Sequence, residues 1–192
     1  MKSICVYCGS NAGNDPRFVT IARRFGRAMA ERGVQLIFGG VGLGLMGAVA
    51  DGALSAGGRV IGIIPKPLLE MEIAHPHLAE LHVVADMHER KQMMAERADG
   101  FVVLPGGTGT MDEFFEIFTW AQLGFHSKPI AVLNGHGYYE LLFAFMRQLV
   151  QQGFLKEVHF DMLIVESNHD TLLQRMQDYV PPHVSKWSRD TA

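Results

Sequence analysis

Leu104-Pro105-Gly106-Gly107-Thr108-Gly109-Thr110-Met111-Asp112-Glu113 is the stretch on which the reading of this chain turns. It follows the apolar run Phe101 to Leu104, which predicts a buried strand, and precedes Phe114 to Phe125, which predicts a helix. Three glycines within four positions let the backbone turn sharply and bare its N–H groups, and Thr108 and Thr110 add hydroxyls at the helix mouth. A corner of this kind suits an anion, phosphate above all, because unpaired N–H groups and the positive helix end converge on one spot. No Lys-Ser or Lys-Thr pair follows the last glycine, so it is not a Walker loop.

Outward from this corner, strand-like and helix-like runs alternate along the whole chain. That pattern predicts an α/β fold: a doubly wound, Rossmann-like parallel sheet with helices on both faces, in a single domain over residues 1–180, with 181–192 as a loosely held tail. Strands are expected at Ile4 to Cys8, Gln35 to Phe38, Arg59 to Ile64, Leu81 to Ala85, Phe101 to Leu104, Ile130 to Leu133 and, at an edge, Met162 to Val165. Helices are expected at Pro16 to Arg32, Leu45 to Ala56, Met87 to Ala98, Phe114 to Phe125, Tyr138 to Gln152 and Asp170 to Tyr179, with Pro65 to Pro76 irregular. Ligands of such sheets collect beyond the carboxyl ends of the strands. Three glycine-bearing corners leave strand ends, at Cys8-Gly9-Ser10, at Gly39 to Gly47 and at Pro105 to Thr110, and they are expected to share one crevice. The second corner contains a formal GxGxxG, Gly42 to Gly47, but it follows the second strand and lacks the acidic ribose partner of a dinucleotide site.

The chain has 192 residues, 48% hydrophobic and 19% charged, with a formal net charge of -3. This is a globular composition without the basic bias of nucleic-acid binders, and a small-molecule partner fits it better. Met1 to Val6 leads directly into a strand-like run, and no segment has the length of a membrane span, so a cytoplasmic protein is expected. Cys5 and Cys8 have CxxC spacing, yet on one strand i and i+3 point to opposite faces, which predicts two ordinary thiols. The nine histidines form no chelating helix pair, and neither metal nor cofactor is expected.

Two sets of charges break local rules. Asp86 and Glu89 read as N-cap and N3 of a capping box, and Arg90 and Lys91 follow at once, where cations oppose the helix dipole. Such a helix start can deliver both cations to an anionic ligand; the plainer alternative is a solvated face. Thr110 to Glu113 also reads as a capping box, which would make Glu113 a cap. A carboxylate beside a bound phosphate needs a cation nearby, however, and Arg90 is available. Glu113 with Arg90 is therefore the candidate catalytic pair.

These residues resemble the Lonely Guy (LOG) family of cytokinin riboside 5′-monophosphate phosphoribohydrolases, whose older label is "possible lysine decarboxylase". The family's PGGxGTxxE signature is complete as Pro105 to Glu113, and its upstream Arg-Lys pair stands in Met87-His88-Glu89-Arg90-Lys91. The likeness extends from Val6-Tyr7-Cys8-Gly9-Ser10 through Gly44-Leu45-Met46-Gly47 to Thr119-Trp120-Ala121-Gln122-Leu123-Gly124. The resemblance implies hydrolysis of the N-glycosidic bond of a purine nucleoside 5′-monophosphate, with AMP nucleosidase activity, giving free base and ribose 5-phosphate. It implies Arg90 and Glu113 as catalytic residues. The substrate-binding set it implies is Gly9, Ser10, Gly44, Met46, Glu72, Met87, Lys91, Pro105, Gly106, Gly107, Thr108, Gly109 and Thr110. It also points to a homodimer or larger homo-oligomer, in keeping with the apolar circumference of Phe114 to Phe125.

Two rival readings remain on the sequence. One is a noncatalytic carrier of the same architecture, like the molybdenum-cofactor carriers, against which Glu113 speaks. The other is the decarboxylase label itself, for which no lysine stands in a pyridoxal-phosphate motif.

Overall fold

The computed structural model describes residues 1–71 and 73–182. Seven strands form one wholly parallel sheet: β1 (Ser3–Tyr7), β2 (Gln35–Phe38), β3 (Val60–Pro65), β4 (Glu80–Val84), β5 (Gly100–Val103), β6 (Ile130–Leu133) and β7 (Leu163–Glu166). Their order is β4-β3-β2-β1-β5-β6-β7. The chain winds outward from β1 to β4, crosses back, and continues from β5 to β7. The expected doubly wound α/β fold is therefore present, with its topological switch between β1 and β5. The corners at Cys8 and Leu104 leave those two strands side by side, which is where such a sheet opens a crevice.

The strand residues alternate between two cores, as a sheet covered on both faces requires. Ile4, Val6 and Cys8 pack into one core with Phe25 and Met29 of α1 (Pro16–Glu31), Val49 of α2 (Gly44–Ser55) and Leu172 of α8 (His169–Gln177). Cys5 and Tyr7 face the other, with Met94 of α4 (Met87–Arg97), Phe114 and Phe118 of α5 (Thr108–Gln122) and Met146 of α6 (Glu140–Gln151). Cys5 and Cys8 are thus buried on opposite faces as free thiols.

Some boundaries correct the sequence reading. The stretch expected to be irregular after β3 contains the short helix α3 (Lys66–Glu70), begun by Pro67 near its first position. A further short helix, α7 (Glu157–Phe160), precedes β7, and a 3-10 turn (Gly135–Gly137) precedes α6. Most consequentially, α5 starts at Thr108 rather than Phe114, with Gly107 as its N-cap. Glu113 then lies in the second turn and cannot act as the N3 member of a capping box, so that expectation fails. Most of the expected tail, residues 183–192, lies outside the described residues.

Candidate active site

A cavity of about 540 Å³ opens at the switch point, lined by the corner after β1, the corner before α2, the start of α4 and the corner before α5. This is an ordinary size for a small-molecule site. The three glycine-bearing corners do meet, and they meet by bonding to each other. Gly9 donates its N–H to the Pro105 carbonyl (3.0 Å), and its own carbonyl accepts from the N–H groups of Leu45 (3.0 Å) and Met46 (3.2 Å). Two of the free donors at the start of α2 are thereby taken. A Cβ on Gly44 would lie 2.4 Å from the backbone of Ser10, and φ at Gly44 is +58°. The formal GxGxxG is a packing joint, not a phosphate loop. Gly44 does not line the cavity, whereas Gly9, Ser10 and Met46 do.

The start of α5 is built differently. No side chain caps it, in contrast to α1, α4 and α8, where Asp15, Asp86 and Asn168 accept backbone N–H groups. A Cβ on Gly107 or Gly109 would meet no described protein atom within 4 Å, and neither residue has a left-handed φ. Protein packing does not demand glycine at these two positions, and the bare backbone leaves room beside it for a ligand. Pro105 to Thr110 all line the cavity beside this helix end.

Glu113 and Arg90 stand at the inner wall, 5% and 4% exposed. Arg90 is fixed by the sheet: Nε donates to the Ile63 carbonyl (3.2 Å) and Nη2 to the Gly39 carbonyl (3.1 Å). A Cβ on Gly39 would lie 1.6 Å from Nη2, so the glycine just after β2 makes room for the guanidinium. Nη1 turns toward Glu113 Oε1 at 3.7 Å, an ion pair too long for a hydrogen bond, with Met87 Sδ also 3.7 Å away. Burial pushes the Glu113 carboxyl up to about 7; Asp112 and Glu116 add to this, and Arg90 and Lys91 oppose it. A carboxyl of that pKa in a cleft is populated in both forms near neutral pH, as a general acid or base requires.

Arg90 and Lys91, expected together on one anion, are separated by the helix. The Lys91 ammonium lies between Asp112 Oδ2 (3.0 Å) and Glu116 Oε1 (3.0 Å) on α5, and Lys91 does not line the cavity. Burial works against its charge, but the bonds to Glu116 and Asp112 outweigh burial and hold its pKa above the ordinary value. A lysine that forms a Schiff base needs the reverse. Asp86 caps as expected, its carboxylate accepting from His88 and Glu89, but Glu89 reaches back to the N–H of Ala85, one residue before the N-cap that a capping box would engage. Met87 lines the cavity, and Glu72 lies outside the described residues.

The sequence reading missed part of the wall. Val41, Leu68 and Ile73 add an apolar side, and Phe18 and Tyr138 an aromatic rim beside the glycine-rich corner before α5. Tyr138 follows β6, the strand next to β5, so the strand-end rule that located the glycine corners applied to it as well. Cys8 also lines the cavity, but burial and then Glu113 push its thiol far up, which leaves it inert. Among the described residues no group of His, Cys, Asp and Glu is arranged to hold a metal, and no helix is long and apolar enough to cross a membrane.

A doubly wound α/β protein with an open helix start and a buried Glu–Arg pair at its switch point is the class that fold and site define. A family model described as "Possible lysine decarboxylase" matches residues 46–176. Cytokinin riboside 5′-monophosphate phosphoribohydrolase LOG1 of Arabidopsis thaliana is 41% identical over 182 residues, 95% of this chain and 85% of that protein. The probable enzyme LOGL1 of Oryza sativa subsp. japonica is 43% identical over 180 residues, 94% of this chain and 81% of that protein. The chain belongs to this family, the LOG proteins that carry the older decarboxylase label. Among solved structures, the molybdenum cofactor binding protein of Rippkaea orientalis superposes with a TM-score of 0.71 at 20% identity, covering 93% of this chain and 97% of that one. The molybdenum cofactor carrier protein of Chlamydomonas reinhardtii gives 0.70 at 20% identity, covering 93% and 99%. At that identity the likeness concerns the fold alone.

Proposed function

We propose that this protein hydrolyses the N-glycosidic bond of purine nucleoside 5′-monophosphates, AMP or its N6-substituted relatives, releasing base and ribose 5-phosphate. One observation carries the reading: a buried carboxyl, Glu113, faces the same cavity as an uncapped glycine-rich helix start, with Arg90 3.7 Å away. Relatives named phosphoribohydrolases at about 40% identity support it. The 5′-phosphate sits against Gly106 to Thr110. Cleavage of the ribosyl C–N bond builds positive charge on the sugar, and ionised Glu113 stabilises that charge more than the neutral ground state. Glu113 also orients the attacking water, and Arg90 holds the carboxylate in place. Val41, Leu68 and Ile73 receive the base. The test is a panel of nucleoside monophosphates assayed for released base; no release from any purine monophosphate overturns the reading. A carrier without turnover has only the shared fold in its favour and no use for a buried carboxyl at the anion corner.

The same reading includes a homodimer and a cytoplasmic location, where a nucleotide pool is at hand. A second hollow of about 540 Å³ lies along the outer side of α5, lined by Met111, Phe115 and Trp120 among others, and Phe125 is 73% exposed beyond it. This mixed hollow, with Thr108, Asp112, Glu116 and Thr119 among its apolar residues, and the exposed Phe125 suit a second copy. Light scattering that returns a monomer mass with activity intact excludes the dimer, and cell fractionation tests the location.

A further inference from the structure

Three successive carbonyls in the phosphate corner are each held by a different partner. Tyr139 Oη donates to the Leu104 carbonyl (2.7 Å), the Gly9 N–H to the Pro105 carbonyl (3.0 Å) and Tyr138 Oη to the Gly106 carbonyl (2.7 Å). In a trans peptide the N–H points opposite to the C=O, so a tethered carbonyl fixes the direction of the next residue's N–H. The Pro105 tether thus turns the Gly106 N–H, which meets the Tyr139 oxygen, and the Gly106 tether turns the N–H of Gly107. The Leu104 tether aims nothing, because the next residue is proline.

Tyr138 is held in place by its neighbours. Its ring meets Phe18 edge-on (5.3 Å, 79°) and Tyr139 edge-on (4.7 Å, 84°). The turn that brings it to the rim passes through His136, at φ 58° the one non-glycine residue with positive φ among the described residues, and Gly137, at φ 70°. Asn134 secures the turn from below, accepting from the Tyr139 N–H (2.8 Å).

We propose that Tyr138 is a positioning residue for the nucleotide's 5′-phosphate: its hydroxyl holds the Gly106 carbonyl so that the Gly107 N–H is directed at the phosphate. This rests on the phosphoribohydrolase reading for the identity of the anion. The experiment is titration calorimetry with ribose 5-phosphate and, separately, adenine, on wild type, Tyr138→Phe and Tyr139→Phe, with thermal midpoints and AMP kinetics alongside. Tyr138→Phe keeps the ring packing and removes one hydrogen bond. Its ribose 5-phosphate Kd is expected to rise about fivefold to tenfold, as is KM for AMP, with kcat and the adenine Kd within about twofold and the midpoint unchanged. Tyr139→Phe gives the opposite pattern, a lower midpoint with ribose 5-phosphate affinity retained. Ribose 5-phosphate affinity within twofold of wild type in Tyr138→Phe, or an equal loss for adenine, overturns the proposal. Wild-type protein that binds ribose 5-phosphate but releases no base from AMP refutes the hydrolase reading alone, since the calorimetry still reads Tyr138; wild type that does not bind ribose 5-phosphate refutes both.

Discussion

Two glycine-rich helix starts line one cavity at the switch point, and the protein packs tightly against only one of them. At α2 the glycines are demanded by protein: Gly44 lies against Ser10, a Cβ on Gly47 would lie 2.3 Å from the Gly42 carbonyl, and the Gly9 carbonyl takes the N–H groups of Leu45 and Met46. At α5, Gly107 and Gly109 have open space where a side chain would stand, and no side chain caps the helix. The motif that formally matches a dinucleotide fingerprint is thus the structural one. Counting glycines does not separate the two cases; asking what each missing Cβ would touch does.

The largest expected effect concerns Glu113, the carboxyl on α5 that the proposed reaction uses. Glu113→Gln is expected to lose on the order of 10²-fold or more in kcat, because an amide cannot stabilise a ribosyl cation as a carboxylate does. Since Glu113 is not a helix cap, its stability signature is a matter of charge. Its folded pKa, about 7, lies above the ordinary 4.5, so the folded state holds the proton more tightly than the unfolded chain. Stability from this group is full below about pH 4.5 and is lost as pH rises through 7, a difference on the order of 3 kcal/mol. Glu113→Gln is therefore expected to match wild type in thermal midpoint near pH 5 and to exceed it at pH 8.5. A variant that keeps near-normal turnover removes Glu113 from the mechanism.

Next in size is the dependence on the substrate's phosphate. AMP is expected to exceed adenosine in kcat/KM by well over tenfold, because energy from the phosphate at α5 positions the ribose over Glu113. ATP is expected to be poor, since no Walker lysine follows the last glycine. Adenosine within about tenfold of AMP, a difference of only ~1.4 kcal/mol, makes the α5 start as inert as that of α2.

The comparison itself is tested by adding a methyl group to each helix start. Gly44→Ala forces a left-handed residue into the Ser10 backbone and is expected to cost about 2 kcal/mol or more of stability. Gly109→Ala meets nothing and improves helix propensity, so a gain of up to about 1 kcal/mol is expected, together with weaker ribose 5-phosphate binding. Chemical denaturation and calorimetry read the two. If Gly109→Ala binds the sugar phosphate as wild type does, no ligand approaches that glycine.

Much of this was legible in the sequence. Alternating apolar runs of strand and helix length gave the parallel doubly wound sheet, and the strand-end rule gathered the three corners at one place. What the sequence withheld was decided by contacts between distant residues. The helix beginning at Thr108 contradicts the capping-box pattern at Thr110, because Gly107 turns the chain three residues earlier than that pattern requires. Adjacency in sequence placed Arg90 and Lys91 together, but one residue along a helix turns a side chain by about 100°, enough to send one cation to the sheet and the other to α5. Tyr138 carried no motif, and its hydroxyl acquires a role only through Gly106, thirty-two positions away.

The smallest expected effect tests that separation of cations. Lys91 compensates Asp112 and Glu116, which flank Glu113 on α5 and push its pKa upward. Lys91→Met removes the ammonium while keeping most of the side chain's bulk, leaving two carboxylates uncompensated. If Glu113 acts ionised, kcat/KM for AMP rises with pH through about 7 in wild type, and this limb is expected to move upward in Lys91→Met. The shift should stay below about one unit, since Asp112 is largely exposed and solvent screens it. A phosphate group on the substrate also titrates, near pH 6, so the limb belongs to Glu113 only if it disappears from the residual activity of Glu113→Gln. Ribose 5-phosphate binding supplies the contrary outcome. A tenfold loss of affinity in Lys91→Met with an unmoved limb places Lys91 on the phosphate beside Arg90, whereas a moved limb with affinity retained leaves Lys91 acting on the substrate only through the charge of Glu113.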